Sequence, residues 1–184
     1  MSDELQRQKR KKLIMYIVAF IIFQTLVIVV MSFTVMKIRT PKYRIRSAEF
    51  QSFNYSASNN SFNMMMNARL RVKNMNFGTF KYDASNIAFY YGDVEVGIAV
   101  MPKSKAGWLS SKKFNVLVPL SSSAVQSNSN LGTDLNSGGL PLTVKSKLSG
   151  KVRLMFMFKK KKSTKMNCTF GLNLNTRQIE NMKC

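Results

Sequence analysis

Val144-Lys-Ser-Lys-Leu-Ser-Gly-Lys-Val-Arg-Leu-Met-Phe-Met-Phe158 is the stretch that decides the fold. Taken alternately, Val144, Ser146, Leu148, Gly150, Val152, Leu154, Phe156 and Phe158 fall on one side, and Lys145, Lys147, Lys151 and Arg153 fall on the other. A period of two belongs to a strand with one buried and one wet face, whereas a helix would repeat at about 3.6 residues. The next segment continues the pattern: Met166, Cys168, Phe170, Leu172 and Leu174 alternate with Asn167, Thr169, Gly171, Asn173 and Asn175. The two segments read as a hairpin, Val144–Phe158 against Lys165–Asn175, with its turn at Lys159–Thr164.

Upstream the same period recurs. Phe62, Met64, Met66, Ala68, Leu70 and Val72 alternate with mostly polar neighbours, then Val94, Val96, Ile98 and Val100, then Phe114, Val116, Val118 and Leu120. About seven antiparallel strands separated by turn-rich stretches make an all-β chain, and a β-sandwich in particular. The Ser/Asn/Gly-rich piece Ser121–Gly139 is the least strand-like; it reads as a loop or as a short helix around Ala124–Leu135.

One segment breaks the period completely. Leu13 to Met31 reads LIMYIVAFIIFQTLVIVVM, with Gln24 and Thr25 its only clearly polar members, and Ser32–Met36 prolongs it mildly. Roughly 20 helical residues rising ~1.5 Å each cover a hydrocarbon core of about 30 Å. A cleaved signal peptide would have a shorter apolar region and a small-residue cleavage site, and Met31–Thr34 offers none. The expected organisation is a basic cytosolic tail over 1–12, a transmembrane helix over 13–35 in the lipid bilayer, an extended basic stem over 36–46 and the sandwich over 47–184.

Orientation follows from charge and sequons. Arg7, Lys9, Arg10, Lys11 and Lys12 directly precede the helix and hold that end in the cytosol. Lys37, Arg39, Lys42, Arg44 and Arg46 weaken the asymmetry from the other side. Three N-glycosylation sequons, at Asn54, Asn59 and Asn167, all follow the helix. The C-terminal part is therefore expected outside the cytosol, where Cys168 and Cys184, enclosing fifteen residues, are expected to bridge because that compartment permits it, two unpaired thiols being the alternative.

The chain carries 29 Lys+Arg against 8 Asp+Glu and no histidine. Without histidine, the commonest general base and metal ligand are missing. Asp83, Asp93, Glu95 and Asp134 are scattered, no nucleophile stands beside a base, and no cofactor, metal site or catalytic residue is expected. Trp108 reads as a core or edge residue. The sharpest local feature is Lys159-Lys160-Lys161-Lys162 with Lys165, beside Lys145, Lys147, Lys151 and Arg153 of the wet face. Such a surface suits anionic lipid headgroups or acidic cell-wall polysaccharide. Nucleic acid is the usual reading of a lysine run, but the anchor argues against it. The bland account is a solvated turn that guards a sheet edge.

From Val72-Lys-Asn-Met-Asn-Phe-Gly78 through Phe80-Lys-Tyr-Asp83, Ile87-Ala-Phe-Tyr-Tyr-Gly92 and Gly97-Ile-Ala-Val-Met-Pro102, the chain resembles the plant LEA group 2 family. These are the late embryogenesis abundant, hydroxyproline-rich glycoprotein and harpin-induced-like membrane proteins. The basic tail, the anchor, Pro41–Arg46 and the terminal Cys are similar too. Met75 departs from the pattern, standing where the family usually has proline. The resemblance implies an immunoglobulin- or fibronectin III-like sandwich and a non-enzymatic role in stress or defence. Its setting would be the plasma membrane, with the endoplasmic reticulum as the alternative. A second functional class, a tethered domain that binds or transfers lipid, is equally compatible with an anchored β-domain.

Overall fold

The apolar run lies within one long helix whose large hydrophobic side chains are exposed. The computed structural model describes residues 2–34, 36–154 and 158–184. It has two units, Met1–Ile38 and Arg39–Cys184. In the first, α1 (Ser2–Thr34) takes in Arg7–Lys12, so the segment expected as a tail forms the opening turns of the same helix. Its span is long and apolar enough to cross a membrane. The hydroxyls of Thr25, Ser32 and Thr34 donate back to the carbonyls of Ile21, Ile28 and Val30 at 2.7–2.8 Å. Those polar groups are thus satisfied without water, as lipid requires.

In the second unit the period of two becomes ten strands among the described residues: β1 (Lys42–Ser56), β2 (Ser61–Lys73), β3 (Gly78–Tyr82), β4 (Ser85–Tyr91), β5 (Val94–Met101), β6 (Ser104–Ala106), β7 (Ser111–Ser121), β8 (Gly139–Leu154), β9 (Phe158–Asn173) and β10 (Gln178–Lys183). One sheet runs β1-β2-β7. The other runs β10-β9-β8-β3-β6, with β4 pairing β8 further along the same edge and β5 pairing β4. The inward side chains close the core between them: Met64, Met66 and Leu70 from β2, Leu120 from β7, Phe80, Ile87 and Phe89, and Leu140, Leu142 and Leu148 from β8 are almost fully buried. This is an all-β sandwich preceded by an apolar helix.

Three expectations need correction. The basic stem is not a linker beyond residue 41, because Lys42–Arg46 opens β1, with Tyr43 and Ile45 buried. Alternation of cations with apolar residues is itself a strand signal. The hairpin does not turn at Lys159–Thr164: β8 and β9 pair without a bulge from Gly139↔Asn173 to Leu154↔Phe158, so the lysine run is strand. Pairing is a main-chain property, and lysine stems tolerate a sheet surface where core contact has ended. The expected position of Phe156 lies outside the described residues. The ambiguous segment does hold a helix, α2 (Ser129–Ser137), shifted towards the C-terminus of the expected one. Its side chain cap is Asn128, Gly138 ends it in the left-handed region, and Leu131 and Leu135 are buried.

Cys168 of β9 and Cys184 are disulfide-bonded. A loop of that size is worth about 3 kcal/mol by chain entropy. The residues of β10 are largely exposed, so the bond stands in for the core contacts that the last strand lacks.

Candidate cationic face and the tether-proximal end

Inward packing of Val144, Leu148, Val152 and Leu154 forces Lys145, Lys147, Lys151 and Arg153 of β8 outward. On β9 the burial of Met166, Cys168 and Phe170 turns Lys159, Lys161, Lys165 and Asn167 to the same side. Register then opposes like charges directly: Lys147 to Lys165, Lys151 to Lys161, Arg153 to Lys159. Lys160 and Lys162 fall on the other face, opposite Val152 and Gly150, so the expected single surface loses two of its nine cations.

It gains two that sequence reasoning missed. Lys81 of β3 stands opposite Lys151, and Lys105 of β6 stands opposite Lys81. Lys105, Lys81, Lys151 and Lys161 therefore form one row across four neighbouring strands, about 14 Å long at ~4.8 Å per strand. The Phe80-Lys81-Tyr82 alternation marks Lys81 as outward, but only topology shows which strand it joins. Lys145 is held with its ammonium 4.9 Å over the Tyr90 ring. Asp83 is the acidic residue in the groove that Lys147, Lys151 and Lys161 line from this face. Among the described residues the ion pair that forms is elsewhere, Arg69–Glu49 at 3.9 Å on an exposed surface.

Directly opposed like charges cost roughly 0.2–1 kcal/mol per pair, and five such pairs share this face. Edge protection explains Lys159 and Lys161, because β10 pairs β9 only from Thr169 onward. It does not explain Lys81 or Lys151, whose strands have neighbours on both sides. Edge protection and solvation therefore give no reason for the central Lys81–Lys151 pair of the row.

The second feature is the end at which the chain enters the sandwich. Asn74 and Asn76 are buried. The Asn74 amide nitrogen donates to the carbonyls of Gly78 at 2.6 Å, Gly107 at 2.7 Å and Ala106 at 3.2 Å. Its carbonyl oxygen accepts from the Asn76 backbone and side-chain amides at 3.1 and 2.9 Å. Asn76 in turn clamps the incoming chain: its oxygen accepts from the Arg39 N–H at 2.6 Å, and its amide donates to the Arg39 carbonyl at 2.8 Å. The pair is thus a main-chain lock and not merely a turn, which is why Met75 can stand between its two asparagines.

Beside the lock, Lys42, Arg44 and Arg46 of β1 and Arg71 and Lys73 of β2 alone line a groove. Lys42 faces Lys73 and Arg44 faces Arg71 in register. The Arg71 guanidinium donates to the Ser111 hydroxyl at 2.9 Å, while its buried Nε has no partner. Tyr43, packed beneath these cations, has its phenol pushed up to about 12 by burial. Around the same lock Phe77, Trp108 and Leu109 are exposed, at 38%, 65% and 54%. Trp108 is therefore not a core residue.

The remaining expected sites are dispersed. Arg7, Lys9, Arg10, Lys11 and Lys12 are exposed on α1; Asn54 is exposed in β1, Asn59 in the β1–β2 turn, and Asn167 on the cationic face opposite Lys145. Asp134, in α2, accepts from the Tyr91 hydroxyl at 2.7 Å. No cluster of three potential metal ligands occurs among the described residues.

No curated protein matches the sequence. Among solved structures, the chain is similar to an Arabidopsis protein described as a candidate late embryogenesis abundant (LEA) protein, at 13% identity, 74% of each chain and a TM-score of 0.43. A second Arabidopsis thaliana protein shares 14% identity over 72% of this chain and 83% of its own, with a TM-score of 0.43. A protein from Archaeoglobus fulgidus shares 9% over 69% and 96%, with a TM-score of 0.37. The decisive match is to a family: residues 69–169, just over half of the chain, fit the model described as late embryogenesis abundant protein, LEA_2, and this chain belongs to that family.

Proposed function

We propose that this protein is a single-pass membrane protein that presents a cationic β-sheet face to an acidic polymer outside the cytosol, in a stress or defence role. The observation that carries the reading is the Lys105–Lys81–Lys151–Lys161 row, whose middle pair, Lys81 and Lys151, stands opposed on strands that have no free edge to guard. A row several strands long matches charge repeated along a linear polyanion better than a point anion. Acidic cell-wall polysaccharide is therefore the favoured partner, and anionic lipid the alternative arm of the test. A lipid carried inside the sandwich is not favoured, because Phe80, Phe89, Leu120 and Leu142 fill the space it would need.

Triple replacement of Lys81, Lys151 and Lys161 by serine is expected to weaken retention on polygalacturonate about tenfold or more at low salt. Wild-type binding should itself fall steeply as the Debye length shrinks to ~8 Å at 0.15 M. Anionic vesicles serve as the parallel arm, and Arg69→Ser, remote from the row, as the control. Undiminished binding of the triple variant to both ligands would remove the reading.

The plasma membrane is the favoured setting, the endoplasmic reticulum the alternative, with the N-terminus cytosolic. Arg7–Lys12 and the three exposed sequons support that orientation. In sealed microsomes the part from Arg39 onward should survive added protease and shift on endoglycosidase treatment. Digestion without a glycan shift would reverse the orientation.

A further inference from the structure

We infer that the tether-proximal end of the sandwich is itself a bilayer-docking surface, with Trp108, Leu109 and Phe77 in the interfacial layer and the five-cation groove over headgroup phosphates. The inference rests on the reading that α1 spans a bilayer. The covalent chain sets the reach. Four residues separate Thr34, the last of α1, from Arg39, which the Asn76 amide holds by both main-chain groups. Fully extended, that link spans about 17 Å, while each interfacial layer of a bilayer is about 5–8 Å thick. The lock therefore cannot leave the neighbourhood of the membrane.

What surrounds the lock fits that neighbourhood. Leu109 holds a left-handed backbone, φ 44°, which a leucine adopts only under constraint. The constraint is visible, since its N–H donates to the Asn76 carbonyl at 3.2 Å. The result is a strained turn that puts an indole and an isobutyl group into solvent, with Phe77 beside them. Folding gains nothing from that arrangement. Aromatic rings with one polar edge prefer the membrane–water interface, and cations favour the phosphates just outside it. The opposed Lys42/Lys73 and Arg44/Arg71 pairs supply donors for those phosphates. This surface shares no residue with the row assigned to the acidic polymer.

Trp108 is the sole tryptophan of the chain, so the unmodified protein carries its own probe. Reconstituted into phosphatidylcholine vesicles with brominated acyl chains, the full chain should lose about half its tryptophan emission, as an interfacial indole would, and resist quenching by iodide. Phosphatidylglycerol should deepen the effect, and serine at Lys42, Arg44 and Lys73 should abolish that increment. Emission quenched by iodide and untouched by bromine, in protein that stays with the vesicles through an alkaline wash, overturns the inference alone. Protein that washes off the vesicles overturns the anchor reading together with it. Serine at Lys81, Lys151 and Lys161 should leave the bromine signal unchanged, which separates this surface from the polymer-binding face.

Discussion

Asn74→Ala is expected to destabilise the sandwich by about 3–5 kcal/mol, enough to leave much of the protein unfolded at physiological temperature. Asn74 has no contact with solvent, and its side chain makes five hydrogen bonds. Removing it takes the donor from three carbonyls, of Gly78, Ala106 and Gly107, and the acceptor from the Asn76 backbone N–H and from one hydrogen of its side-chain amide, which keeps the Arg39 carbonyl. Each buried orphan costs roughly 1–3 kcal/mol, and their effects are shared within one network, so the sum saturates. Asn74→Asp is no rescue, because an anion would face the same three carbonyl oxygens.

The contrast with Asn76→Ala gives the expectation its content. That change frees Arg39 but leaves the Asn74 donors on their carbonyls, so the cost should be about 1–2 kcal/mol. Denaturant unfolding followed by far-ultraviolet circular dichroism, on the full chain in micelles, orders the two variants. If Asn74→Ala unfolded at the wild-type midpoint, the network would not hold β2, β3 and the β6–β7 turn together.

Much of this fold is written in local pattern, since burial on one face of a strand imposes a period of two at Phe62–Val72 and Val144–Leu154. The expected alternation over Val94–Val100 fails, because a register shift between Gly97 and Glu95 leaves Val94, Ile98 and Val100 exposed and buries Val96, Ala99 and Met101 instead. What local pattern leaves out is partnership. Nothing along the chain says that Lys81 stands beside Lys151, because register is set by which strands meet, not by either strand alone. The lysine run illustrates the converse: four consecutive cations have no apolar alternation, yet Lys159–Lys162 pair with Gly150–Arg153 through main-chain groups that every residue carries. Asn74 and Asn76 look like turn formers from their residue type. Their burial and their grip on Arg39, thirty-seven residues upstream of Asn76, are tertiary facts. The cationic face was partly legible; the tether-proximal surface, assembled from three distant segments, was not.

Gly150→Ala should be nearly as damaging, at about 3 kcal/mol, and should also weaken binding to acidic polymer although no charge is altered. Gly150 lies between Tyr82 of β3 and Lys162 of β9. A Cβ there would overlap the Lys81 carbonyl oxygen and stand 2.7 Å from the Phe80 ring and 2.8 Å from the Tyr82 Cα. At the other end of the same pairing, a Cβ on Gly78 would overlap the Arg153 carbonyl oxygen. Two glycines thus let β3 lie against β8 more closely than any side chain permits. Backbone cannot rotate out of the way, so the strain is relieved by lifting β3, and with it β6, off β8. That motion carries Lys81 and Lys105 away from Lys151 and breaks the row. Gly171→Ala is the matched control: its added Cβ would meet only the Glu180 carbonyl oxygen at 3.9 Å, an ordinary contact, and should change stability by no more than about 0.5 kcal/mol. Equal midpoints and equal polymer retention for the two alanine variants would show that β3 is not pressed against β8 and that the row does not depend on it.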